Sequence, residues 1–105
     1  MYFDNAATTA HKPEIVARTV YDALAAGEYG NPSRGAHDYA MRAYRIIAAA
    51  KEDIKTLFRA GNAYEVAFTH NSTVALNMII KGLLGAGDHI ISTTWEHNAV
   101  LRPLY

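Results

Sequence analysis

Between Glu65 and Thr93 the apolar pattern changes its period twice, and this constrains the fold more than any other feature of the chain. Glu65 to Thr69 has the length and character of a short strand, Ser72 to Leu84 the spacing of a helix, and His89 to Thr93 again that of a strand. Gly85-Ala86-Gly87-Asp88 supplies a tight connector between the helix and the second strand. The order predicts a βαβ unit, with parallel strands joined by a right-handed crossover. The expected fold class is therefore α/β.

The first half of the chain reads as helical. Residues 1–12 look extended and irregular, and Pro13 suits a first helical turn. From Pro13 to Ala26, Ile15, Val16, Val20, Ala23 and Leu24 recur at helical spacing, and Gly27 supplies a stop. Gly30-Asn31-Pro32-Ser33-Arg34-Gly35 is a loop by its turn chemistry. A long Ala-rich helix follows. Its stripe of Ala36, Ala40, Ala43, Ile47, Ala50, Ile54 and Leu57 would let a sheet or helix approach closely, and Gly61-Asn62 is the expected stop.

Composition excludes several function classes. Ten basic residues balance ten acidic ones, so no net field favours nucleic acid or an anionic membrane. The apolar stretch from Val74 to Leu84 is interrupted by Asn77 and Lys81 and is too short to span a bilayer. The opening Met1-Tyr2-Phe3-Asp4 has neither the basic nor the apolar region of a secretory signal, which favours a cytoplasmic setting. Without cysteine there is no disulfide framework and no thiol nucleophile. The five histidines show no zinc-ligand spacing, so no metal site is expected.

Two short segments carry the chemistry. The first four N–H groups of a helix lack internal partners, and the helix dipole places partial positive charge there. Ser72 and Thr73 would open such a helix after the strand ending at Thr69, a geometry suited to a phosphate. The plainer alternative is that Asn71 or Ser72 merely caps the helix. His97 follows the second strand, where it could face a ligand held on that turn or be an ordinary loop histidine.

Taken together, four segments resemble the start of the cysteine desulfurases, in the class V, fold-type I family of pyridoxal phosphate enzymes. They are Asp4-Asn5-Ala6-Ala7-Thr8-Thr9, Gly30-Asn31-Pro32-Ser33-Arg34-Gly35-Ala36-His37, Phe68-Thr69-His70-Asn71-Ser72-Thr73 and Glu96-His97-Asn98-Ala99. The resemblance implies that Ser72 and Thr73 form the phosphate cup, that His97 stacks on the pyridine ring, and that Asn5, Ala6 and Ala7 line the substrate cleft. Val74 departs from the glutamate that many members carry after the cup threonine. It implies a partial fold-type I large domain, with residues 1–35 as N-terminal segment, helix and active-site loop, and 36–105 as the start of the cofactor-binding domain.

The implied activity is sulfur mobilisation from L-cysteine with release of alanine, by a homodimeric enzyme using pyridoxal 5'-phosphate. Another class V aminotransferase, a selenocysteine lyase, and a non-catalytic α/β interaction module remain alternatives. That chemistry needs a lysine that holds the cofactor and an aspartate that keeps its ring nitrogen protonated. His11-Lys12 superficially resembles the family's His-Lys pair but precedes Pro13 in the opening segment. The family's lysine, ring-partner aspartate, substrate-binding arginine and persulfide-forming cysteine are expected beyond Tyr105, so no catalytic residue is assigned here. The chain ends at Pro103-Leu104-Tyr105, inside a helix begun near Asn98 and without a stop signal. It is expected to be the N-terminal part of a longer enzyme, inactive alone and holding the cofactor weakly or not at all.

Overall fold

Helical hydrogen bonds close within four residues, so a helix can form on local sequence, whereas a strand needs a partner. The computed structural model describes residues 1–105 and divides into two compact units, Met1–Tyr64 and Glu65–Tyr105. Its regular structure is entirely helical: α1 Glu14–Ala26, α2 Asp38–Leu57, α3 Ser72–Leu83, α4 Asn98–Leu101 and a closing 3₁₀ turn over Arg102–Leu104.

The expected α/β class and its βαβ unit are overturned. Residues 65–69 and 89–93 form no β-ladder and leave no strand in the structure. The physical reason lies in what a parallel pair requires. Parallel strands are stable when neighbouring strands and helices bury both faces, and a pair of short strands has too little to bury. Ile90 and Ile91 remain exposed, Ile91 at 88%. The helix and tight connector of that unit do form. The Gly85 N–H donates to the Asp88 carboxylate at 2.7 Å, and the Asp88 N–H returns to the Gly85 carbonyl at 3.2 Å.

In the Met1–Tyr64 unit, α1 begins after Pro13, carries Glu14 in its first turn and ends at Gly27 with φ 62°. Glycine adopts that left-handed conformation without the Cβ penalty, which makes it a natural helix stop. The loop that follows is tied to the start of α2 by an ion pair between Glu28 and Arg42 and by the Gly30 N–H donating to the Tyr39 carbonyl at 3.0 Å. A Cβ at Gly30 would lie 3.0 Å from the His37 ring and 3.2 Å from the Ala40 amide, so a larger residue would have to push these neighbours aside.

The α2 helix starts at Asp38 rather than Ala36, because His37 serves as its N-cap. It also stops before Gly61-Asn62. The Ala60 N–H reaches the Lys55 carbonyl at 2.8 Å and the Arg59 N–H the Thr56 carbonyl at 3.1 Å, closing a Schellman motif with Arg59 at φ 52°. Of the small-residue stripe, Ala40 is buried, while Ala43, Ile47, Ala50 and Ile54 are half-buried and Leu57 is exposed.

In the Glu65–Tyr105 unit, α3 packs against α4 and the 3₁₀ turn. Ala99 at that contact and Ala40 on α2 are the only buried apolar residues in the chain. Burying one large apolar side chain stabilises by about 1.5–3 kcal/mol. Leu24, Leu57, Leu83 and Trp95 forgo that gain by staying exposed, so the helices rest chiefly on their own hydrogen bonds and caps.

Candidate functional site

The α3 helix opens directly after Asn71, whose backbone is extended. Asn71 has φ −167° and ψ 171°, and its side-chain oxygen accepts from the Val74 N–H at 3.0 Å. Its carbonyl accepts from the Ala75 N–H at 3.2 Å. The N–H groups of Ser72 and Thr73 come before the first intrahelical bond and point out of the helix end. No acidic residue lies in that first turn. The cap and the phosphate readings of this turn are therefore compatible: Asn71 satisfies the third N–H and leaves the first two available.

His97 plays the corresponding part for α4. Its backbone is extended, and its Nδ1 accepts from the Ala99 N–H at 3.0 Å. Since Nδ1 is an acceptor, the neutral ring carries its proton on Nε2, which leaves an N–H donor on the far side of the imidazole.

The contact between α3 and α4 brings Thr73 and His97 to one pocket of about 370 Å³, lined also by Asn77, Asn98, Ala99 and Arg102. Its size falls in the range of small-molecule sites. Ser72 adjoins Thr73 at the helix end. Of the polar groups, the lining offers a hydroxyl, two carboxamides, an imidazole and a guanidinium, with no carboxylate. Such a donor set suits an anion.

Asn5, Ala6 and Ala7 belong to the Met1–Tyr64 unit, where they form an exposed turn. The Ala7 and Thr8 N–H groups donate to the Asp4 carbonyl at 3.1 and 3.2 Å, and the Tyr2 hydroxyl donates to the Thr8 carbonyl at 2.7 Å. The Asn5 side-chain oxygen accepts from the Ala10 N–H at 3.4 Å.

Arg102 and Asn77 were not singled out by sequence reasoning. Asn77 lies one helical turn after Thr73, so its place beside Thr73 was readable from the period of α3. Arg102 gave no such signal, because its position depends on the break from α4 into the 3₁₀ turn at Pro103. No group of three His, Asp or Glu side chains forms a metal cluster, and no helix is long and apolar enough to cross a membrane.

The sequence pattern of the class V aminotransferases matches residues 1–105. The chain is 32% identical over 105 residues to cysteine desulfurase IscS of Shewanella denitrificans, covering 96% of this chain and 26% of that protein. It is 34% identical over 107 residues to cysteine desulfurase IscS of Vibrio atlanticus, with 98% and 26% covered. The chain thus spans about a quarter of the length of these relatives. No solved structure matches it.

Proposed function

The chain belongs to the class V aminotransferase family, and from that premise we propose that it forms the phosphate- and ring-binding corner of a pyridoxal 5'-phosphate enzyme of the cysteine desulfurase kind. The observation that carries the reading is the single pocket that joins Thr73, at the open end of α3, to His97 and Arg102. The donor set fits the cofactor. The free N–H groups of Ser72 and Thr73 and the Thr73 hydroxyl would hold the phosphate, each charge-assisted bond contributing about 1.5–3 kcal/mol.

The imidazole of His97 would face the pyridine ring, kept in one tautomer by the Ala99 N–H. Arg102 adds positive charge to the same wall. When bound, the cofactor supplies an electron sink for bonds at the substrate's α-carbon. In the intact enzyme Asn5, Ala6 and Ala7 would line the substrate cleft; here they form their own hydrogen-bonded turn. In the intact enzyme the substrate would be L-cysteine, whose sulfur passes to an acceptor while alanine is released. Family membership and the IscS relatives support the desulfurase reading; a homodimer working in the cytoplasm is part of the same proposal.

The test is an assay of the intact polypeptide that contains these residues, loaded with pyridoxal phosphate and offered L-cysteine, L-selenocysteine and other amino donors. Alanine formed fastest from L-cysteine supports the proposal. Amino transfer to a keto acid without alanine release would replace desulfuration with the aminotransferase reading. Residues 1–105 alone, which contain no cysteine, should release no alanine under the same conditions.

A further inference from the structure

We propose that Asn77 is the positioning residue of this site, its carboxamide joining the phosphate-cup helix to the turn that holds His97. The Asn77 Nδ2 donates to the Thr73 carbonyl at 2.9 Å and to the Ala99 carbonyl at 3.5 Å, the second bond linking residues 22 apart in sequence. A carboxamide nitrogen carries two hydrogens, so one side chain can serve both carbonyls. A bond to Thr73 alone would be ordinary bonding to the preceding helical turn. The bond to Ala99 is different, because the sequence leaves that carbonyl without its usual donor.

In a continuing α-helix the Ala99 carbonyl would accept from the N–H of residue 103. That residue is Pro103, which has none. The Arg102 N–H is already given to the Asn98 carbonyl. Ala99 is only 5% exposed, so water is a poor substitute and an unmet carbonyl there is costly. Asn77 fills the deficit that Pro103 creates. Ala99 is then held at both ends of its peptide units: its carbonyl by Asn77, and its N–H by Nδ1 of His97. Through this one buried alanine, the side chain on α3 that touches the Thr73 carbonyl also fixes where the His97 ring sits and which nitrogen carries its proton.

The bond pattern stands on the structure alone, while its meaning for the cofactor rests on the reading of His97 given above. The test therefore has arms that fail separately. In the unaltered 105-residue chain, NMR should show a close contact between the Asn77 side-chain amide protons and Ala99, and ring nitrogen shifts of neutral His97 typical of the Nε2–H form. Lack of the Asn77–Ala99 contact overturns the proposal whether or not any variant folds.

Asn77→Leu keeps roughly the same shape and adds no charge but cannot donate. It should turn the His97 ring into a mixture of tautomers and weaken pyridoxal phosphate about two- to tenfold, the worth of one ordinary hydrogen bond, while the amide pattern of Met78 to Leu83 stays helical. A merely structural asparagine would lower stability and leave the tautomer untouched, which would overturn the proposal. Pro103→Ala restores an N–H to the Ala99 carbonyl and, in the Asn77→Leu background, should recover the single tautomer. If it does not, the Ala99 carbonyl is not the link. Should His97→Ala bind pyridoxal phosphate as well as the unaltered chain does, the ring-facing reading fails and the NMR arms still decide the role of Asn77.

Discussion

His37 and His97 do the same local job in the two units and arrive at different ends. Each is extended, each caps a helix, and each uses Nδ1 to accept a backbone N–H, from Ala40 at 3.3 Å and from Ala99 at 3.0 Å. The ring of His37 is taken up by its own loop. Gly30 and Gly35 lie so close that a Cβ on either would come within 3.0 Å of it, and Tyr39 meets it edge-on at 6.5 Å. The ring of His97 instead borders a pocket shared with Thr73 and Arg102. A histidine cap is therefore not a site by itself. A second element must leave room beside the ring and bring complementary groups to it, and α3 does so for His97 alone.

The comparison can be broken at its enclosed side first. Gly30→Ala should press on the His37 ring and the start of α2 and destabilise the Met1–Tyr64 unit by about 1–3 kcal/mol, the usual cost of overpacking. Chemical denaturation followed by NMR would read this, with phosphate binding unchanged. Weaker phosphate binding would mean that the His37 loop takes part in the site. At the open side, Asn71→Ala removes the α3 cap and should cost about 1 kcal/mol, with looser phosphate binding in the same titration. Stability loss alone would detach the cap from the anion site.

Replacing the two histidines in parallel sharpens the contrast. His37→Ala and His97→Ala should each cost about 0.5–1.5 kcal/mol of stability for one lost hydrogen bond. Only His97→Ala should weaken pyridoxal phosphate more than inorganic phosphate, as measured by competition. Equal effects of the two on the ring-bearing ligand would erase the distinction. The smallest effect belongs to Arg59, held at φ 52° by the Schellman motif. Arg59→Gly should raise the stability of the Met1–Tyr64 unit by up to about 1 kcal/mol and leave every ligand titration unmoved.

What the sequence revealed follows the range of the interactions involved. The ends of α1 and α3 could be read to within a residue, since Pro13, Gly27 and Asn71 act on their immediate neighbours. The stop of α2 could not, because Arg59 adopts a conformation usually left to glycine and the helix closes before Gly61. The two strands failed for a related reason: alternation marks residues able to pair but supplies no partner, and here none pairs them. Thr73 and His97 were named from their motifs, and the structure brings both to the lining of one pocket. Arg102 and the Asn77–Ala99 link were not legible, since both depend on Pro103 breaking the helix against a neighbour distant in sequence.

The most direct test of the account is one NMR titration of the 105-residue chain, first with inorganic phosphate and then with pyridoxal phosphate. The account predicts that the amides of Ser72, Thr73 and Val74 shift with both ligands, at millimolar affinity or about −4 kcal/mol. His97 and Ala99 should shift appreciably only with the ring-bearing ligand, while His37 and Ala40 stay still throughout. Amides at 72–74 that ignore phosphate while α3 is demonstrably helical, or a His37 that responds as His97 does, would contradict it.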